Sequence, residues 1–181
     1  MAYQLQEINR RIQTDVKAFL AECDESYAQR VSLAADKILS NLEKSPIVLL
    51  SGPSGAGKTT TAMKIAEELR RRGVESRAVA MDNYFKSMNP RTAPRTPEGS
   101  IDYESPLCLD MELLDRHFAA LSRGEEIIIP KFEFARQMRN DSLGIPMKLE
   151  KNEIAIFEGI HALNDDIAGR HPEATKRYIS A

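Results

Sequence analysis

Gly52-Pro53-Ser54-Gly55-Ala56-Gly57-Lys58-Thr59 decides how the rest of this sequence is read. The stretch fits G-x-x-x-x-G-K-[ST], a loop that wraps phosphate groups. Its surroundings fit too. The apolar, β-type run Ile47-Val48-Leu49-Leu50 precedes it, and a segment of helical character, Thr60 to Arg72, follows. Glycines let such a loop take positive φ and turn its N–H groups inward, where they form an anion-binding nest. The helix N-terminus adds unsatisfied donors and the positive end of its dipole. Lys58 is placed to reach the β- and γ-phosphates of ATP, and the Thr59 hydroxyl to take a position on Mg²⁺. The candidate ATP-binding residues are Gly52, Pro53, Ser54, Gly55, Ala56, Gly57, Lys58, Thr59 and Thr60. The bland alternative is a chance glycine-rich turn with a surface lysine. The strand before and the helix after argue against it.

The chain has 181 residues, 42% hydrophobic and 29% charged, with a formal net charge of −2. That suits one soluble α/β domain with a small appendage. The charge balance excludes a global basic field for nucleic acid or an acidic membrane. No apolar run reaches the length of a membrane span, and the polar N-terminus has no signal-peptide core. Cys23 and Cys108 lie far apart without metal spacing, and three histidines show no zinc pattern. A cytoplasmic protein with reduced thiols is the expectation.

Residues 1–44 form a two-helix leader in this reading. Leu5, Ile8, Ile12, Val16, Phe19 and Leu20 share one helical face, and Asp24-Glu25-Ser26 make a break. Val31, Leu33, Ala34, Ile38, Leu39 and Leu42 mark the second helix. The leader is either a helical layer over the domain or an arm through which copies of the chain associate. Residues 45–181 form the main domain. Ser76–Met81 is its second strand, ending at Asp82-Asn83-Tyr84-Phe85. Residues 86–106 are a long Pro- and Arg-rich connection, either functional or disordered. A helix is expected from Asp110 to Arg123 and a β-hairpin flap from Glu126 to Leu149, turning at Arg136–Asp141. Glu153–Glu158 is an apolar strand ending in a carboxylate, and Lys176–Ser180 a fourth strand. The fold class is a doubly wound, mainly parallel sheet with helices on both faces.

Ligands of such sheets sit beyond the carboxyl ends of the strands. The loop, Asp82 and Glu158 therefore converge. Asp82 is the candidate base for an attacking hydroxyl, with metal binding or turn capping as alternatives. Thr59 and Glu158 are the candidate Mg²⁺ ligands, and Glu158 is equally suited to orienting water. His161 either contacts substrate or is structural. Arg70-Arg71-Arg72 reads as helix-end charge rather than a phosphate patch.

The ordered motifs Met81-Asp82-Asn83-Tyr84-Phe85, Asp102-Tyr103-Glu104-Ser105-Pro106, Pro130-Lys131-Phe132-Glu133-Phe134 and Phe157-Glu158-Gly159-Ile160-His161 carry a resemblance. With the phosphate loop, they resemble the uridine kinase, phosphoribulokinase and bacterial-type pantothenate kinase group, closest to its uridine kinase-like branch. The resemblance covers residues 46 to 181. It implies ATP-dependent phosphotransfer to a small hydroxylated, nucleoside-like acceptor. It also implies that the central strand order is the Asp82 strand, the Glu158 strand, the phosphate-loop strand, then the last strand. By the same resemblance Asp82 is the base, Asp102 holds sugar hydroxyls, and the hairpin around Phe132 and Arg139 closes over the acceptor, with Tyr84 and His161 beside it. Uridine kinases carry Tyr then Asp where this sequence has Phe132 and Glu133, and a His that the 135–139 segment lacks. The family also continues into an arginine-bearing lid, whereas this sequence ends at Ala181. The expectation is ATP binding with weak transfer. A sugar-phosphate or pantothenate acceptor, served by Arg91, Arg95, Arg136 and Arg139, is one alternative. An ATP-binding regulatory module is the other.

Overall fold

The structure, a computed structural model, describes residues 4–180. Its centre is a four-stranded parallel sheet in the order β2-β5-β1-β6. The strands are β1 (Ile47–Ser51), β2 (Glu75–Ala80), β5 (Glu153–Glu158) and β6 (Thr175–Tyr178). This is the order the resemblance implies. Every residue of β1 is buried. A central parallel strand is covered on both faces, so its sequence runs apolar without alternation.

The two faces nevertheless sort by alternation. Ile47, Leu49, Ala155 and Phe157 point into one core, with Leu114 and Phe118 of α3 (Met111–Ser122) and Ile167 of α4 (Asp165–Ala168). Val48, Leu50, Ile154 and Ile156 point into the other. There they meet Ala62, Ile65 and Leu69 of α2 (Lys58–Arg71) and Val31, Ala35 and Ile38 of α1 (Leu5–Leu39). Both helices of each pair thus cover one face, as a doubly wound domain requires. Asp110 caps α3, its carboxylate accepting from Leu113 N at 3.1 Å. Gly73 and Gly124, at φ 84° and 72°, end α2 and α3.

The leader differs from expectation in where it breaks. The helix runs straight through Asp24-Glu25-Ser26. It departs from helical geometry at Asp15 instead (φ −158°, ψ 93°). The Asp15 carboxylate accepts from Ala18 N at 3.0 Å, so it restarts the helix as an N-cap. Asp24 and Glu25 stay on the solvent side, where they leave the backbone bonds alone. Arg72 fastens the later half of α1 to α2, pairing with Glu68 and Asp36 and donating to Ser32 Oγ at 2.7 Å. The earlier half keeps Leu5, Ile12, Val16 and Leu20 exposed.

A separate antiparallel ribbon, β3 (Ile127–Glu133) and β4 (Met138–Met147), forms the hairpin. Its turn is tighter than expected, Phe134–Gln137, with Gln137 at φ 50°. Arg139 and Asn140 therefore lie in the strand. The long connection is ordered by backbone bonds. Lys86 N donates to Cys108 O at 2.8 Å, Met88 N to Gln137 O at 3.1 Å and Asp102 N to Pro94 O at 2.8 Å.

Candidate functional site

The strand register fixes the site. Glu158 is level with Leu50 of β1 and Ala80 of β2, so three strands end along one edge. Beyond β1 the loop turns through Gly55 (φ 75°) and Gly57 (φ 81°) into α2. A Cβ built at either glycine meets nothing within 4 Å. What holds glycine at both positions is therefore the positive φ and not a lack of room. Gly52 is constrained differently: a Cβ there would lie 2.6 Å from Ile179 O. The loop starts against the end of β6, where Ile179 N donates to Ser51 O at 2.8 Å.

Lys58 Nζ is folded onto its own loop, donating to Pro53 O at 2.9 Å. Thr59 Oγ1 donates to Glu158 Oε1 at 2.9 Å. A hydroxyl and a carboxylate meeting at this edge fit the one or two protein oxygens that Mg²⁺ accepts while keeping several waters. Among the described residues no group of three or more His, Cys, Asp or Glu forms a cage for a metal ion. Asp82 follows β2 in a 3₁₀ turn, Met81–Tyr84. Burial pushes its carboxyl above the usual aspartate range, and the nearby Lys58 and His161 oppose that only in part. It is thus a more basic carboxylate than one in water.

Lys58, Asp82 and Glu158 share a cavity of about 280 Å³ with Ser54, Phe85, Met88, Tyr103, Glu104, Cys108, Phe132, Phe134 and Gln137. Phe132 packs edge-to-face on Phe85 and Phe134, at 5.6 and 5.1 Å between centroids. Lys58 is the one cation among the residues lining the cavity; Asp82, Glu104 and Glu158 are its acids. Phe85, Tyr103, Glu104 and Gln137 went unnoticed as cleft residues in the sequence. The signal available was their position, next to Asp82, Asp102 and the hairpin turn.

The other candidates are placed elsewhere. Asp102 accepts from Glu104 N at 3.1 Å and turns the chain beside the cleft. His161 Nε2 meets Glu104 O at 2.6 Å, which pins that same turn. Arg139 corrects the expectation of an acceptor contact. Its guanidinium pairs with Asp110 at 2.6 Å and Asp141 at 2.9 Å, fastening β4 to the start of α3. Arg95 donates to Gly99 O and Pro90 O, and Arg136 pairs with Glu133. Tyr84 corrects another: it is fully buried, and its hydroxyl lies 2.9 Å from His117 Nδ1. A phenol in a core needs a polar partner, and His117 supplies it.

Burial, with Arg116 adding to it, holds His117 down to about 4. An unfolded histidine takes up its proton near 6.5. The native state therefore binds fewer protons between those values. Its contribution is fully present above about 6.5, falls as pH drops through the window and is gone below about 4, a loss on the order of 3 kcal/mol. Urea unfolding of wild type should show this decline between pH 6.5 and 4.5, and His117→Leu should flatten it. An unchanged pH dependence in the variant would count against His117 as its source.

A family model described as Phosphoribulokinase / Uridine kinase family matches residues 47–172. A uridine kinase of Halobacterium salinarum is 31% identical over 117 residues, covering 65% of this chain and 48% of that protein. A uridine kinase of Schizosaccharomyces pombe is 32% identical over 117 residues, covering 65% of this chain and 25% of that protein. The chain thus spans half or less of these curated relatives. In fold it is similar to a crystal structure from Silicibacter sp. TM1040, provisionally described as a fructose transport system kinase. The TM-score is 0.62 at 23% identity, over 81% of this chain and 73% of that one.

Proposed function

The chain belongs to the phosphoribulokinase and uridine kinase family, and from that premise we propose that it transfers the γ-phosphoryl group of ATP to a hydroxyl of an uncharged, nucleoside-like metabolite. The observation that carries the acceptor class is the make-up of the cleft. Its walls are aromatic, its acids are Asp82, Glu104 and Glu158, and Lys58 is its one cation. A phosphorylated acceptor needs basic partners; Arg95, Arg136 and Arg139 are engaged elsewhere, and Arg91 does not line the cleft. An apolar wall with a few polar groups suits a flat, hydroxylated molecule.

In this reading Asp82 takes the proton of the attacking hydroxyl as its oxygen bonds to the γ-phosphorus and ADP leaves. Lys58 exchanges its bond to Pro53 O for the β- and γ-phosphates. The loop N–H groups hold the remaining oxygens. Mg²⁺, held by Thr59 and Glu158, would neutralise charge on the phosphate oxygens. Phe132 and Phe85 flank the acceptor and exclude water from it.

ADP release with a panel of nucleosides, sugar phosphates and pantothenate tests the acceptor class. Turnover is expected with a nucleoside, and turnover confined to the sugar phosphates would overturn the uncharged acceptor. Lys58→Ala should raise the Kd for ATP roughly 10- to 100-fold, the value of a charged hydrogen bond. Calorimetric titration reads this directly, and wild-type affinity in the variant would remove Lys58 from the site.

A further inference from the structure

The hairpin that carries Phe132 is built as two half-ribbons. The inner half pairs residues 127–129 with 145–147, and its Ile127 and Met147 sit in the core. The outer half pairs residues 131–133 with 138–140 and carries Phe132. Between the halves the register slips: Ile129 faces Ile145, but Lys131 faces Asn140. Residues 141–144 therefore bulge out of the ladder, and Pro130 opposite them has no N–H to give it. The ladder alone does not carry the rigidity of the core out to Phe132.

The segment after Asp82 holds the outer half instead. Asn83 Oδ1 accepts from Phe132 N at 3.3 Å, and Ser87 Oγ accepts from Arg139 N at 3.1 Å. Phe132 and Arg139 face each other across the ribbon, so the two bonds grip a single rung. The gripping segment is itself fastened to the body of the domain. Asp110 N donates to Tyr84 O at 2.9 Å, and Lys86 N to Cys108 O at 2.8 Å. The Ser87 bond is exposed, so water can replace it, whereas the Asn83 bond is partly buried.

We propose that Asn83 is a positioning residue for the acceptor: its carboxamide ties the Phe132 wall of the cleft to the turn that carries Asp82, and so sets the spacing between that wall and the base; this rests on the phosphotransfer reading above. A carboxamide suits the task. Its oxygen accepts from a backbone N–H and carries no charge. A carboxylate would accept equally well, but it would put a second negative charge beside Asp82 and disfavour the ionised base. An aliphatic side chain would leave the N–H of Phe132, a buried residue, without its partner.

The test compares wild type, Asn83→Ala and Asn83→Asp, with the best of adenosine, cytidine, guanosine and uridine as acceptor. Kinetics are read at alkaline pH, where Asp82 is ionised in all three. Asn83→Ala should raise the acceptor KM about tenfold, the scale of a donor left unpaired, with the calorimetric Kd for ATP unchanged. Asn83→Asp keeps an oxygen at the same reach and should bring KM back. Exchange of the Phe132 amide hydrogen, followed by NMR, should quicken in Asn83→Ala and slow again in Asn83→Asp, and this readout needs no turnover. A wild-type acceptor KM or wild-type exchange in Asn83→Ala overturns the proposal. So does equal weakening of ATP and acceptor, because the whole turn has then lost its shape. No turnover by wild type with any of the four nucleosides, while Phe132 exchange responds as expected, would instead overturn the phosphotransfer reading and leave the tie in place.

Discussion

Replacing Asp82 by Asn is expected to lower kcat roughly 10²–10⁴-fold, the range for loss of a positioned base, while ATP still binds. Asn keeps the size of the side chain and its place after β2, but it cannot accept the hydroxyl proton. The phosphate loop is built by other residues, so the donor site should survive. Burial raises the Asp82 pKa. Only the ionised form is a base, so activity should rise with pH across a limb set above the ordinary aspartate range. That limb should be absent from the residual activity of the variant. Steady-state kinetics across pH, with calorimetric ATP binding, measure both. Retention of wild-type kcat by Asp82→Asn would assign the proton to another acceptor.

Phe157→Ala should destabilise the fold by about 3–5 kcal/mol, the range for emptying an aromatic site in a core. Phe157 is fully buried in the middle of the sheet. Its ring packs edge-to-face against Phe118 at 4.6 Å and Tyr84 at 6.2 Å. One side chain thus joins the sheet, α3 and the turn that carries Asp82. Its neighbour in sequence is Glu158, so the cavity opens directly beneath the cleft. Urea unfolding should show the loss, and ATP affinity should weaken with it as β5 relaxes. A loss below about 1 kcal/mol, the scale of an ordinary surface change, would mean that the core closes over the gap.

Much of this was legible because it follows from local pattern. The apolar runs at Ile47–Leu50 and Glu153–Glu158 mark strands covered on both faces, and the glycines between β1 and α2 mark the loop. The leader break was misplaced because Asp15 and Asp24 look alike in sequence. Which one captures a backbone N–H depends on how the helix lies over α2 and the sheet. Arg139 and Tyr84 could not be placed from sequence for a related reason. Tyr84 sits next to the cleft residue Phe85, and Arg139 two positions after the cleft residue Gln137. Strand alternation turns the Arg139 side chain toward Asp110, and the 3₁₀ turn carries Tyr84 inward to His117.

The strand order has a consequence for synthesis. β1 carries the phosphate loop, yet its neighbours β5 and β6 are both made well after it. A growing chain therefore exposes both edges of this mostly apolar strand until β5 and β6 have left the ribosome. Non-local pairing of this kind is slow and prone to aggregation. Meanwhile α1 is available first, and its Val31, Ala35 and Ile38 cover Val48 and Leu50 in the finished fold. The leader would then act as an internal chaperone for the strand on which the phosphate loop is built.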